Sequence, residues 1–341
     1  MSPKNLYHLH ENNFDLLRLI FSSMVVFFHM AILSKVAALS WLGYLSSTFA
    51  VQAFFIVSGY LVTMSFEKSE SLGVYWKKRM MRIAPAYIVV VVAAAVSLSL
   101  TSTFSFSEYF SNTGFWRYIG FNLILANFSA PSLPGVFAGQ FESAVNVSLW
   151  TIKIEVLFYA CVPVIVWAIR KFGYKTILGT IFALSLAWKV LFFLEGTVTG
   201  SDFYFKMAKQ LPGQLAFFAG GAWCYYRARE GFRPPFWMAV AGVLLYAFTD
   251  SWLFEFIAPF AVTMLVSWAA ISMPRLGNVG KYGDFSFGIY LYHAPIVQTF
   301  IFLGLFAAYP IQTLIAAMLL IIFISVLSWN YVEKPFLGHR K

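Results

Sequence analysis

Apolar runs of about 20 residues recur from one end of this chain to the other, and each is long enough to cross the hydrocarbon core of a bilayer. Only 11% of the 341 residues are charged, whereas a soluble domain carries about 25%. So little polar surface could not keep a compact chain of this length in water. The sequence therefore predicts an all-α protein, folded as a polytopic bundle of transmembrane helices.

We expect about ten membrane spans in a single membrane-embedded domain over residues 1–341, with no separate soluble domain. The stretch 115–128 is apolar but shorter, and a run of that length is typical of an interfacial or re-entrant segment. The predicted spans are residues 14–34, 44–65, 83–100, 148–169, 176–194, 211–227, 236–251, 254–273, 284–306 and 309–330.

The net charge of +10 raises the question of a nucleic-acid partner. The basic residues, however, stand in short clusters between the apolar runs rather than along one polar face. If 115–128 is an outer hairpin, the clusters at 170–175 and 227–233 fall on the same side of the membrane as the others. Because Lys and Arg concentrate in cytoplasmic loops, both termini are predicted to be cytoplasmic and the loop 101–147 to be outside. We expect membrane lipids, and no nucleic acid, as partners.

Ionisable side chains inside the predicted spans are candidates for a functional site, because a charge there costs about 3 kcal/mol. Arg18 and His29 are eleven residues apart in the first span. At about 100° per residue they share one face of a helix, about 16 Å apart along its axis. The arginine suits a phosphate or carboxylate, and the histidine can accept a proton near neutral pH. In the alternative reading, Arg18 reaches the interface beside Asp15 and His29 only packs.

The segment between the second and third spans is strongly basic. Within it, Arg79 and Arg82 are three residues apart, so both guanidinium groups would point the same way from a helix and could hold a multiply charged phosphate. A topology signal with contacts to anionic lipid explains the same charges. In the second span, Ser58 and Gly59 could permit close packing of helices.

Two further polar residues lie in later spans. Glu155, near the outer end of the fourth span, is a candidate partner for a histidine or a sugar hydroxyl, or one half of a structural ion pair. His293, two residues before Pro295, is either a second polar residue of the same cavity or a packing residue. The five histidines, at positions 8, 10, 29, 293 and 339, do not form a metal-binding spacing, and we expect no metal.

Six motifs follow one another along the chain. They are Asp15 and Arg18 with His29, FFIVSGYL (54–61), KKRMMRIAPAY (77–87), SLWTIKIEVLFY (148–159), FSFGIYLYHAPI (285–296) and YVEKPF (331–336). In this order they resemble the motifs of the acyltransferase-3 family of membrane acyltransferases, over roughly residues 14–336. Thr151 and Lys153 depart from the pattern of the family, and these departures bear on the substrate.

The resemblance implies a multi-pass enzyme of the bacterial inner membrane. It would move an acyl group, usually acetyl, from cytosolic acetyl-CoA or another acyl-CoA to a hydroxyl of a carbohydrate or glycolipid on the extracytoplasmic side. His29 and Glu155 are then the expected catalytic residues. The residues expected to bind substrate are Arg18, Arg79, Arg82, Ser58, Trp150, Tyr292 and His293.

Two other classes of protein would use intramembrane charges without acyl transfer. One is a transporter or flippase for an anionic solute or a lipid-linked sugar, which uses the charges as a pathway. The other is a lipid-binding or scaffolding membrane protein. Consumption of acyl-CoA separates the enzyme from both.

Overall fold

The computed structural model describes residues 12–248 and 251–337, and every regular element within them is helical. Short 3₁₀ segments and one π-helical turn (Trp329–Glu333) connect or extend the α-helices. The α-helices are α1 (Phe14–Ser34), α2 (Ser47–Glu67), α3 (Leu72–Ser97), α4 (Phe106–Ser111), α5 (Thr113–Leu123), α6 (Trp150–Phe172), α7 (Tyr174–Thr199), α8 (Asp202–Ala208), α9 (Leu211–Arg229), α10 (Phe236–Ala247), α11 (Ser251–Ile271), α12 (Ser286–Phe302), α13 (Leu305–Ala308) and α14 (Pro310–Ser328).

Seven stretches of the described chain are long and apolar enough to cross a membrane, by length and composition. They are Phe14–Ser34, Ala37–Glu67, Leu72–Thr101, Trp150–Phe172, Tyr174–Thr199, Leu253–Ile271 and Pro310–Phe336. Helices also form at the three other predicted spans, as α9, α10 and α12. The predicted all-α membrane bundle is therefore confirmed, whereas the number of ten spans stays a prediction. The predicted side of the termini concerns residues 1–11 and 338–341, which lie outside the described residues.

The stretch 115–128 does not form one continuous helix. The helix α5 has 11 residues and ends at Leu123, and a 3₁₀ turn follows at Asn127–Ser129. At about 1.5 Å per residue, α5 is about 16 Å long, whereas the hydrocarbon core is about 30 Å thick. The segment is thus too short to cross, which agrees with the predicted hairpin.

Contacts divide the chain into two compact units, and each unit is assembled from separate segments. The helices α1, α3 and α6 each run from one unit into the other. The single domain expected from the sequence stays a prediction. Among the described residues, unit A takes 12–18, 48–76 and 154–281, and unit B takes 19–47, 77–153 and 282–337.

In unit A, α2 and α9 cross in close contact because each helix presents a glycine where the backbone of the other passes. A Cβ on Gly59 would overlap the carbonyl oxygen of Phe218, and a Cβ on Gly221 would overlap that of Ile56. An alanine at either position would force the two helices apart. The close packing predicted from Ser58 and Gly59 is confirmed.

The core of unit B joins α1, α12 and α14. Met30 of α1, Ile289 of α12 and Ile321 of α14 belong to one cluster of buried apolar side chains. Burial of this cluster fixes the C-terminal half of α1 against α12. The same two helices carry His29 and His293, so the apolar core positions both histidines.

Candidate active site

Two histidines that are far apart in the sequence meet in unit B. His29 Nδ1 lies 2.8 Å from His293 Nε2, and the two rings are nearly parallel, with centroids 5.1 Å apart. His293 is completely buried, whereas His29 is partly exposed. The structure therefore joins a residue expected to be catalytic to one expected to bind substrate.

The hydrogen bonds of His293 indicate where the ring protons lie. Its Nδ1 is 2.8 Å from the carbonyl oxygen of Tyr290, which can only accept, so Nδ1 carries a hydrogen. In the neutral ring, Nε2 then holds a lone pair and accepts the Nδ1–H of His29. This leaves the lone pair of His29 on its own Nε2, and a nitrogen in that state can act as a general base.

A proline in α12 helps to fix the segment that precedes α6. Because Pro295 has no backbone N–H, the carbonyl of Leu291 loses its partner within the helix. Asn146 Nδ2 donates to that carbonyl at 2.8 Å, and Asn146 Oδ1 accepts from the backbone N–H of Ser148 at 3.1 Å. Ser148 Oγ in turn lies 3.3 Å from His293 Nε2. The segment is thus anchored beside the histidine pair.

The first turn of α6 adds a second contact to this region. The hydroxyls of Thr151 and Tyr290 are 2.7 Å apart, and both residues are buried. Thr151, one of the two departures from the family pattern, thus holds the residue whose carbonyl orients His293. Trp150 opens α6 and is half-buried. Its role in substrate binding stays a prediction.

Arg82 is engaged by two carboxylates within unit B. Its Nη2 lies 2.6 Å from Asp284 Oδ2, and its Nη1 lies 3.0 Å from Glu333 Oε2. The arginine side chain is 15% exposed and that of Glu333 is 2% exposed, so little solvent screens the pair. The positive charge is compensated inside the protein. This geometry gives Arg82 a structural role, and the phosphate binding expected from its spacing to Arg79 stays a prediction.

Tyr292 belongs to the network of Arg82 through its side chain. Its hydroxyl donates to Ser328 Oγ at 3.2 Å, and Ser328 Oγ donates to Glu333 Oε1 at 3.0 Å.

Arg79, which lies three residues before Arg82 on α3, is half-buried. Its predicted role in donor binding stays a prediction.

Unit A brings together two other predicted site residues. Ser58 Oγ donates to Glu155 Oε1 at 2.7 Å, so the carboxylate of Glu155 is held by α2. Arg18 is half-buried and lies on α1, the same helix as His29, as the sequence predicted. The roles of these residues in catalysis and binding stay predictions.

Several polar partners in the structure could not be named from the sequence. Lys189 Nζ lies 2.6 Å from Glu255 Oε2 in unit A, and the lysine side chain is only 4% exposed. Asp284 is 202 residues from Arg82, so no local pattern relates them. For Asn146 the sequence contains only indirect information. A proline inside a helix predicts a backbone carbonyl that needs a hydrogen-bond donor from elsewhere, but it does not identify that donor.

The described residues contain no group of three or more His, Cys, Asp or Glu side chains that could hold a metal ion. Of the histidines considered in the sequence, His8, His10 and His339 lie outside the described residues. The chemistry that the described histidines can perform is proton transfer and nucleophilic attack.

Fold and site together define a class: a helical membrane protein in which a buried histidine, His293, is hydrogen-bonded to a partly exposed one, His29. The acyltransferase-3 family, described as an acyltransferase domain, matches residues 11–330, which is nearly the whole chain. The chain belongs to this family and is a membrane acyltransferase. The family resemblance expected from the six motifs is confirmed.

Three relatives extend this comparison. The chain is 29% identical to an O-acetyl transferase of Shigella phage Sf6, over 96% of this chain and 97% of that protein. It is 25% identical to nodulation protein 10 of Rhizobium leguminosarum bv. viciae, over 100% of this chain and 97% of that protein. It is 24% identical to the O-acetyltransferase OatA of Staphylococcus aureus, over 84% of this chain but 52% of that protein. No solved structure matches the chain.

Proposed function

We propose that this chain is an O-acetyltransferase of the bacterial inner membrane. In this proposal it transfers an acetyl group from a cytosolic acyl-CoA to a hydroxyl of a carbohydrate or glycolipid on the extracytoplasmic side. The family supports acyl transfer, and relatives named as O-acetyltransferases support acetyl as the group. The observation that carries the chemistry is the hydrogen bond between His29 and His293.

The proposed step uses His29 as a general base. Its Nε2 takes the proton of the acceptor hydroxyl while that oxygen attacks the thioester carbonyl carbon. A C–O bond forms and the C–S bond breaks. The leaving thiolate of CoA then takes the proton from His29, so the products are an O-acyl ester and the free thiol, and the histidine ends neutral. His293 keeps the other proton on Nδ1 of His29 throughout.

Donor binding is proposed to involve Arg79 and Arg18. Arg79 would hold the anionic head of the CoA, and Arg18 would lie on the path toward His29. The rise of about 16 Å from Arg18 to His29 along α1 is comparable to an extended pantetheine arm of about 15–20 Å, by analogy with extended backbone. Glu155, with its hydroxyl donor Ser58, is proposed to bind the acceptor.

The test is acyl transfer by the purified protein in nanodiscs, followed as free thiol released from acetyl-CoA in the presence of pooled carbohydrate acceptors. We expect the wild type to release thiol and His29→Ala to lose about 10²- to 10⁴-fold in kcat. The matched control is Ser23→Ala on the same helix, which removes only a hydrogen bond to the carbonyl of Leu19. It should keep the activity of the wild type.

Three outcomes would change the proposal. Full activity of His29→Ala would remove this residue from the chemistry. An acetyl group on His29 after acid quenching, detected by peptide mass spectrometry, would replace the general base by an acyl-histidine intermediate. No thiol release from any acyl-CoA by a folded wild type would favour the transporter alternative.

A further inference from the structure

A groove of about 400 Å³ lies within unit A, between α7, α9, α10 and α11. Its walls are predominantly apolar and rich in aromatic side chains. The residues that form most of its surface include Leu178, Phe182, Trp223, Met238, Phe260 and Ile271. None of the residues discussed for acyl transfer is among the described residues that line it.

Two glycines shape this groove, one by leaving open space and the other by letting a neighbouring side chain approach closely. A Cβ built on Gly179 would meet no atom within 4 Å, although Gly179 lies within the helix α7. Gly220 faces Thr263, whose Oγ1 is buried and has no hydrogen-bond partner among the described residues. The groove is therefore shaped by missing side chains, and it contains a polar atom that is not satisfied by the protein.

One end of the groove is basic. Among its described lining residues, Arg227 alone is charged, and its Nη1 lies 2.7 Å from Glu230 Oε2. The side chains of Arg227 and Glu230 are 33% and 45% exposed, and an ion pair with this much solvent around it is weak. Arg229 Nη1 lies 3.9 Å from Glu67 Oε2, and Arg233 follows in the sequence. The segment 227–233 thus has three arginines against Glu230 within it and Glu67 as the partner of Arg229.

We propose that the groove binds one acyl chain of an anionic phospholipid, with the phosphate of the lipid at Arg227. The volume is within the range of small-molecule sites, about 300–1,000 Å³. The apolar walls suit a hydrocarbon chain, whereas a sugar or a nucleotide needs several polar partners. Basic residues between transmembrane helices recognise phospholipid head groups, and the charge at Arg227 therefore selects the anionic class.

The first test fills the groove. Wild-type protein is equilibrated with vesicles of equal phosphatidylglycerol and phosphatidylcholine, and bound lipid is counted by native mass spectrometry. We expect one retained phosphatidylglycerol in the wild type and about a tenfold lower affinity in Gly179→Leu. The matched control is Gly120→Leu in α5, because Gly120 is also helical with open space around its Cβ but is not among the residues that line the groove. It should retain lipid like the wild type.

The second test removes the charge. We expect Arg227→Gln to lose about fivefold of the preference for phosphatidylglycerol, since one basic residue near the head group is worth about 1 kcal/mol. Arg233→Gln, a neighbouring basic residue that does not line the groove, should keep the preference.

Other results would overturn the proposal. Unchanged lipid retention in Gly179→Leu would exclude the groove, and equal loss of preference in both arginine variants would indicate general surface charge. Retention of an added acyl-CoA in place of the phospholipid would change the ligand. The measurement needs no turnover, so its outcome is independent of the proposed acyl transfer.

Discussion

The histidine pair and the Arg82 network of unit B are both buried polar clusters, but they differ in how completely their groups satisfy one another. Arg82 meets two carboxylates, and the remaining oxygens of these carboxylates accept from Ser286 and Ser328. In the histidine pair, the bond between the rings and the bond to Tyr290 use three of the four ring nitrogens, and Nε2 of His29 keeps its lone pair. A closed network stabilises a fold, whereas a cluster with one open position can react.

The largest effect on stability is expected at Arg82. Arg82→Gln removes the cation that Asp284 and Glu333 share in a site with little solvent, which should cost about 3–5 kcal/mol of unfolding free energy. The measurement is thermal unfolding in detergent. Adding Glu333→Gln should recover part of the loss, because it removes one of the stranded charges. An unchanged unfolding temperature with a raised KM for the donor would instead indicate that Arg82 binds the donor. The Arg82 network would then not differ from the histidine pair as a purely structural cluster.

The next effect concerns the positioning residue of the pair. We expect His293→Leu to lower kcat about 10²-fold with little change in KM, because His29 loses the acceptor that holds its proton on Nδ1. His293→Gln offers an amide oxygen to the same N–H and should restore about tenfold of that loss. A merely structural role would give equal losses in both variants, together with lower unfolding temperatures.

A smaller loss is expected where the segment before α6 joins α12. Asn146→Ala leaves the carbonyl of Leu291 without its donor, which should cost about 1–3 kcal/mol of stability. Asn146→Ser, whose shorter side chain cannot span the same distance, should behave like the alanine variant, and unfolding in detergent measures both. Stability equal to that of the wild type would show that another group serves this carbonyl.

The smallest effect is expected at Arg79. Arg79→Gln should raise the KM for acetyl-CoA about tenfold, or about 1.4 kcal/mol, and should leave the unfolding temperature near that of the wild type. Steady-state kinetics at varied donor concentration measure it. The exposed Lys78 provides the control, since Lys78→Gln removes a neighbouring charge from the same helix. Equal changes in both variants would indicate general attraction of the donor by the basic segment.

Local pattern in the sequence predicted more of the fold than of the site. Helices form at each predicted span because the length of an apolar run is a local property of the sequence. Gly59 likewise indicated that two helices cross in close contact. The hydrogen-bond and ion-pair partners of polar side chains could not be predicted in the same way, because these partners are far apart in the sequence. His29 and His293 are 264 residues apart, and Arg82 and Glu333 are 251 apart. Arg79 and Arg82 look equivalent in the sequence, and only the structure shows that Arg82 pairs with two carboxylates.

The proline of α12 has a consequence for biogenesis. During membrane insertion, the carbonyl of Leu291 would enter a medium that offers no water, and an unsatisfied backbone group there costs several kcal/mol. Asn146, which satisfies it, is synthesised well before α12 leaves the ribosome, so its donor is already available when this helix arrives. We therefore expect stable insertion of α12 to depend on prior docking of this upstream segment, and the pair of His29 and His293 to form only after that step.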